Sequence, residues 1–294
     1  MTIHQPDSFE SDNPVKYSIL RRKLTQWGVA PNKKRGQNFL VDRHIVDIAI
    51  NALEIKPDDV ILEIGAGAGA LTHQLAQKAG FVVSIEIDNK LAKGLQEDLK
   101  NYKNIQVIHA DALKLDWKQF IPPLKKGTLK ITGNLPYSVT GPLLNRFLIT
   151  KTKASKIVFM VQKEVALRIL EQPGSKQYGS LSIISAYRSK VSLIHHVGKN
   201  CFWPVPKVDS SFLKFDLYHT TPFKVSSEER FFSIIRECFK TRRKMIKNAL
   251  TNSSVLQYTK PEIQSALIKA EIEESLRPED IDLSSYVRLA EALE

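Results

Sequence analysis

A chain of 294 residues, 43% of them hydrophobic, is long enough to bury one large α/β core and a smaller appended domain, which sets disorder aside. Its 43 Lys and Arg against 31 Asp and Glu leave a formal net charge of +12. Such an excess points to a polyanionic partner, nucleic acid or an anionic membrane surface, or to a merely basic soluble protein. No apolar run approaches the length of a membrane span, and the start from Met1 to Pro14 lacks the basic head and apolar core of a signal peptide. Cytoplasmic residence without a membrane partner is therefore expected. Cys201 and Cys238, the only cysteines, have no Cys-x-x-Cys spacing, so neither a disulfide framework nor a metal site is expected.

In chain order, residues up to about Pro14 read as a tail. A basic segment follows (Arg21, Arg22 and Lys23, then Lys33, Lys34 and Arg35). A helix opens after Leu40, with Asp42 as N-cap and Ile45, Ile48, Ala49 and Ala52 as its apolar face. Beyond Pro57 the period changes. Val60–Leu62, Val82–Ile85 and Ile105–Ile108 are short apolar runs separated by the helical patterns Leu71–Gln77 and Leu91–Leu99, the signature of a doubly wound parallel sheet. Further strands fit Leu129–Ile131, Ile157–Met160, Val191–Ile194 and Phe212–Phe215, the last two as an antiparallel pair at one side of the sheet. From about Ser226 only helical patterns remain, among them Pro261–Ala270 and Pro278–Leu293. The expected organisation is an N-terminal tail and basic segment over 1–30, a Rossmann-like domain over 31–218 and a helical domain over 219–294.

The first chemical motif, Glu63-Ile64-Gly65-Ala66-Gly67-Ala68-Gly69-Ala70, falls where a strand turns into a helix. Glycines there let the backbone approach a ligand closely, and the following helix N-terminus favours electron-rich groups. Alone the motif also satisfies a relaxed dinucleotide fingerprint, or serves as a structural turn. Glu86, about 20 residues on, can hold ribose hydroxyls, and Asp111 after the third strand can accept from an adenine amine. Singly each is a solvated loop carboxylate; with the glycines they favour a nucleoside cofactor. The second motif, Gly133-Asn134-Leu135-Pro136-Tyr137, follows the fourth strand. Adenine's exocyclic amine is a poor nucleophile because its lone pair is delocalised. The Asn134 side-chain oxygen and the Leu135 carbonyl can accept its two N–H groups and localise that lone pair, while Pro136 stiffens the turn. Tyr137 offers a face to stack on the base, worth about 1–3 kcal/mol.

The chain resembles the ribosomal RNA adenine dimethyltransferase family, and within it the small-subunit members. The resemblance rests on Gly36-Gln37-Asn38-Phe39-Leu40, Glu63-Ile64-Gly65-Ala66-Gly67, Glu86, Asp111, Asn134-Leu135-Pro136-Tyr137 and Phe202-Trp203-Pro204-Val205-Pro206-Lys207-Val208-Asp209-Ser210, spread from about Lys33 to Lys247 in the family's order. It implies a Rossmann-like S-adenosylmethionine-dependent methyltransferase domain with a smaller C-terminal helical domain. It further implies S-adenosylmethionine held by Asn38, Leu40, Gly65, Glu86, Asp111 and Asn134, with the segment around Asn38 closing over the methionine part. Phe202 resembles the aromatic facing Tyr137 across the target base; read from the residues alone it is equally a core phenylalanine. The implied reaction is dimethylation of N6 on two adjacent adenosines in a hairpin loop near the 3′ end of small-subunit ribosomal RNA, by a monomer acting on the immature small subunit. The residues before about Val29 exceed the minimal family pattern and have no assigned role.

Transfer from a sulfonium needs positioning rather than a protein nucleophile. Methylation at a pyrimidine carbon would call for a cysteine nucleophile, and neither cysteine lies in a Pro-Cys context. In the C-terminal part, Ser226-Ser227-Glu228-Glu229 reads as a capping box opening a helix with Phe231, Ile234, Ile235, Cys238 and Phe239 on its apolar face. Arg236, Lys240, Arg243 and Lys247 recur on another face, suited to RNA phosphates or simply to solvent. A large-subunit RNA or DNA adenine methyltransferase, a non-catalytic assembly factor and, more remotely, an NAD enzyme are the competing readings.

Overall fold

The computed structural model describes residues 14–32, 35–124, 126–136, 139–150 and 152–293. The apolar runs become strands β2 (Val60–Ile64), β3 (Phe81–Glu86), β4 (Ile105–His109), β5 (Leu129–Asn134), β6 (Ala154–Gln162), β7 (Ser189–Val197) and β9 (Ser210–Leu217), with the two-residue pair β1 (Phe39–Leu40) and β8 (Phe202–Trp203) apart. The seven-stranded sheet has the order β4-β3-β2-β5-β6-β9-β7. Pairings from β4 through β6 are parallel, and β9 and β7 are neighbours at the other edge, where the sequence placed its last two strands. All five residues of β2 are buried, as expected of a strand covered on both faces.

Helix α2 (Arg43–Leu53) starts on Asp42, whose side chain accepts from the Ile45 N–H. Its buried face is Ile45, Val46, Ala49, Ile50 and Leu53, a stripe turned slightly from the expected one, in which Ile48 and Ala52 are only half-buried. These residues join Leu71, Leu75 and Ala79 from around α3 (Thr72–Lys78), and Ile61, Val82, Val158 and Met160 of the sheet, in one core cluster. Helix α4 (Asn89–Asp98) begins on Asp88, which caps the Lys90 and Leu91 N–H groups.

Order in the sheet reverses at β2. Its one neighbour, β3, comes next in the chain, and its other, β5, comes after β4. Loops leaving the carboxyl ends of β2 and β5 diverge there, which is where open α/β sheets leave a ligand crevice. Gly133 is required by the close approach of these strands: a Cβ there would lie 2.2 Å from the Ile64 carbonyl oxygen.

The residues form two compact units. One takes in the described residues up to Leu143 with Lys153–Lys163 and Leu193–Phe215; the other takes in Leu144–Thr152, Glu164–Ser192 and the chain from Asp216 onward. The expected basic segment after the tail is helical in part. Tyr17–Gln26 form helix α1, whose Leu20 and Leu24 pack with Phe39, Ala68 and Leu91. Lys23, read as part of a basic segment, is buried and ion-paired to Asp98. The expected tail up to Pro14 lies, but for Pro14 itself, outside the described residues, as do Lys33 and Lys34.

The second unit contains α5 (Thr140–Ile149) from Leu144 on, α6 (Lys163–Leu170) from Glu164 on, α7 (Ser180–Arg188), α8 (Glu228–Lys240), α9 (Ile246–Thr251), α10 (Lys260–Lys269) and α11 (Leu283–Ala292). Phe231, Phe232, Ile234, Ile235 and Cys238 are the buried face of α8, with the Tyr187 ring 4.6 Å from that of Phe231. The expected capping box does not form, and the cap is a single one, one residue later. Ser227 is the N-cap and accepts from Arg230 N–H, because Ser226 gives its N–H (2.6 Å) and hydroxyl (2.7 Å) to Glu291 instead. Among the described residues no helix is long and apolar enough to cross a membrane.

Candidate active site at the carboxyl ends of β2, β3 and β5

The loop after β2 turns through positive φ at Gly65 (75°) and Gly67 (59°), a conformation costly to other residues. Its path is fixed by the neighbouring strand: Gly65 N–H donates to the Ile85 carbonyl at 2.8 Å and Gly67 N–H to Glu86 Oε2 at 2.8 Å. Glu86 Oε1 accepts from Asp88 N–H at 2.9 Å. Each carboxylate oxygen thus has one backbone donor and keeps lone-pair capacity for further ones. Burial raises the Glu86 carboxyl above its ordinary range, and the Asp88 and Gly67 N–H groups pull the other way.

Behind the glycine loop stands Glu63, a carboxylate within an otherwise apolar strand. Its Oε2 accepts from Thr72 Oγ1 at 2.7 Å and Ser84 Oγ at 2.6 Å. Burial pushes its carboxyl up to about 7 against those two hydroxyls, with the Glu86 charge adding to the rise. The glycine motif contains Glu63, but the motif alone gives it no task. The available signal was a charge at the fourth position of the strand Val60–Ile64.

Asn134 closes the other side. It ends β5, and a Cβ on Gly65 would lie 3.4 Å from its backbone oxygen, so the two loops touch. Its side-chain Nδ2 donates to the Asn38 carbonyl at 3.1 Å, which commits the amide nitrogen and leaves Oδ1 as the acceptor end. The following turn is tied at both flanks. Leu135 N–H donates to the Met160 carbonyl (3.1 Å), and the Pro136 carbonyl accepts from Val139 N–H (3.1 Å) and the Thr140 hydroxyl (3.2 Å). Tyr137 lies outside the described residues.

Residues 35–40 form the third wall. Arg35 pairs with Asp88 at 2.8 Å, Asn38 Nδ2 donates to the Gly36 carbonyl at 3.1 Å, and β1 pairs antiparallel with β8, placing Leu40 opposite Phe202. A cleft of about 930 Å³, including its part open to solvent, is lined by these walls; Asn38, Leu40, Gly65, Glu86, Asn134, Leu135, Pro136 and Phe202 all border it. Phe202 is only 2% exposed and belongs to the main core cluster, so it is at once a core residue and part of the wall. Asp111 is not among the bordering residues. It follows Ala110, whose N–H bonds the Glu86 carbonyl, and its Oδ1 accepts from Leu113 N–H at 2.9 Å. Sequence reading missed Gln37, Ile87, Leu20 and Pro14, which also line the cleft.

The basic residues of the second unit do not share one helix. Helix α8 ends at Lys240; Arg243 lies in the following turn and Lys247 on α9. The break is held by Arg242, which leaves the helical path to pair with Glu279, and by Ile246 N–H on the Leu276 carbonyl at 2.7 Å. Arg236, Lys240 and Arg243 are exposed. Lys240 is paired with Glu237 and Lys247 with Glu274.

The chain is similar to known proteins over most of its length. A family model described as ribosomal RNA adenine dimethylase matches residues 29–293. Ribosomal RNA small subunit methyltransferase A of Clostridium botulinum (strain Loch Maree / Type A3) is 39% identical over 262 residues, covering 89% of this chain and 94% of that protein. Among solved structures, a dimethyladenosine transferase from Plasmodium falciparum superposes with a TM-score of 0.71 at 25% identity, covering 85% of this chain and 95% of the other. The 23S rRNA methyltransferase ErmE superposes with a TM-score of 0.62 at 28% identity, covering 87% and 99%.

Proposed function

The chain belongs to the ribosomal RNA adenine dimethylase family, and from that premise we propose that it transfers methyl groups from S-adenosylmethionine to N6 of adenosines in small-subunit ribosomal RNA. The observation that carries the reading is the meeting of the Asn134-Leu135-Pro136 acceptor turn with the Glu86 carboxylate and the glycine loop around one cleft. The residues present fit a nucleoside cofactor. Glu86 retains lone pairs for a ribose diol, and Gly65 and Gly67 turn through positive φ beside it; Asp111, which does not border the cleft, is proposed as the acceptor for an adenine amine. The sulfonium of that cofactor supplies an electrophilic methyl. Asn134 Oδ1 and the Leu135 carbonyl accept from the two amine hydrogens of the target base, Tyr137 and Phe202 hold its faces, and the dry wall around Leu40 and Phe202 excludes water. The target base leaves its stack to reach this point, which suits a loop substrate. In finer detail, the substrate is a pair of adjacent adenosines in a hairpin loop near the 3′ end of the small-subunit RNA, met on the immature subunit by a monomer.

Incubating the protein with methyl-labelled S-adenosylmethionine and small or large ribosomal subunits from an unmodified strain tests this. Label in N6,N6-dimethyladenosine of the small-subunit RNA alone is expected; label confined to large-subunit RNA, or none, overturns the reading. Glu86→Ala and Asp111→Ala each remove an acceptor for a nucleoside donor, so each is expected to weaken cofactor binding roughly tenfold or more in calorimetric titration, at about 1.5–3 kcal/mol for a charged hydrogen bond. Unchanged affinity in both, with circular dichroism intact, would remove the cleft from consideration.

Arg236, Lys240, Arg243 and Lys247 are proposed to track RNA phosphates. Replacing all four by Gln is expected to lower the salt slope of RNA binding by about 0.7 per neutralised phosphate, up to about 3 in total, with cofactor affinity kept. A slope equal to wild type would place the RNA elsewhere on the surface.

A further inference from the structure

Helix α1 lies before residue 29, where the family match begins, yet it borders the cleft. Pro14 and Leu20 are part of its lining, beside Phe39, Ala68 and Leu91. The helix is not casually docked. Trp27 packs over Gly94 of α4, where a Cβ would sit 2.2 Å from the indole, so this contact exists only because residue 94 has no side chain. Lys23, 4% exposed, is ion-paired to Asp98 at the end of α4, and its ammonium lies 3.5 Å from His73 Nε2 of α3. Lys90 Nζ donates to the Gly28 carbonyl at 2.8 Å, and the Tyr17 ring meets Trp203 edge-on at 5.5 Å. These ties anchor one short helix to α3, α4 and β8 around the cleft. A buried lysine is costly unless paired, so its presence in this helix marks a fixed seat rather than a solvated surface.

Resting on the cofactor reading above, we propose that residues 14–28 are a working part of the cofactor site: a fixed backing wall in which Leu20 and Leu24 brace Phe39, Ala68 and Leu91 behind bound S-adenosylmethionine, while Lys23 and Trp27 are positioning residues that hold that brace in place. The inner face of this wall is apolar and packs on Leu91 and Ala68. Leu20 is already only 1% exposed, so the segment acts on the cofactor through the cleft residues it braces rather than by closing over it.

Gly94→Ala separates seat from fold. Alanine is the better helix former, so α4 is preserved, while the new Cβ displaces Trp27. In the full-length protein, S-adenosylmethionine affinity measured calorimetrically is expected to fall about five- to twentyfold in Gly94→Ala and in Lys23→Met, as suits loss of one or two apolar side chains from a binding wall. In Gly94→Ala the cofactor KM is expected to rise in step while kcat at saturation moves less. Hydrogen exchange of amides 17–28 should slow on adding cofactor to wild type and quicken in both variants. Faster exchange over 17–28 with wild-type cofactor affinity overturns this role of the wall. A wild-type protein that binds no S-adenosylmethionine overturns the functional reading instead. Should Lys23→Met not fold, Gly94→Ala carries the comparison alone.

Discussion

Asn134→Ala is expected to lower single-turnover methylation by about 10²–10³-fold, the usual loss when one preorganised polar group is taken from a site where charge develops. The argument is geometric. Nitrogen N6 of adenine becomes nucleophilic only as its hydrogens are drawn out of the ring plane, and an acceptor fixed before the base arrives does this without reorganising. Asn134 is such an acceptor because its Nδ2 is already committed to the Asn38 carbonyl at 3.1 Å. Asn134→Asp tests the orientation rather than the size: it sets a carboxylate oxygen against that carbonyl, and is expected to be as impaired as alanine. Bulk RNA affinity, spread over phosphate contacts, should change little in either variant. Rapid-quench measurement with bound RNA and cofactor checks this; wild-type single-turnover rates in both variants would remove Asn134 from the chemistry.

The parts of this fold that sequence foretold are those whose stability is local or periodic. The strands β2, β3, β5 and β6 announce themselves as apolar runs because both faces are covered, and Asp42 announces α2 because its cap is made within three residues. What stayed hidden depends on distant partners. Helix α1 lacks a side-chain N-cap on Lys16 and carries three successive basic residues; only the spacing Leu20, Leu24 and Trp27 hinted at a buried face. That Lys23 is buried depends on Asp98, 75 residues away. Periodicity extended the basic face from Arg236 to Lys247, but it is indifferent to the end of α8, which Glu279 determines by taking Arg242. In the site, Glu86 and Asn134 were legible because each ends a strand beside β2, where the sheet order reverses. Asn38 and Leu40 were reached by resemblance alone, since the pairing of β1 with β8 joins segments on opposite sides of the whole Rossmann-like order.

Glu63→Gln is expected to be increasingly more stable relative to wild type as pH rises, by about 2–3 kcal/mol between pH 5 and pH 8. Burial holds the Glu63 carboxyl at about 7 rather than its ordinary 4.5. Between those two values the folded protein keeps a proton that the unfolded chain has released. Stability therefore falls as pH rises through that window, and the fall is complete once the folded state has also ionised. Glutamine keeps the shape and leaves a carbonyl oxygen for the Thr72 and Ser84 hydroxyls, yet has no proton to lose, so the slope due to this residue disappears. Urea unfolding of both proteins at several pH values isolates the difference, because every other titrating group is common to the two. A stability difference that stays constant from pH 5 to pH 8 would show that Glu63 is ionised throughout. The same result would place two negative charges, Glu63 and Glu86, behind one glycine loop, where the neutral form of Glu63 leaves Glu86 to meet the cofactor's hydroxyls alone.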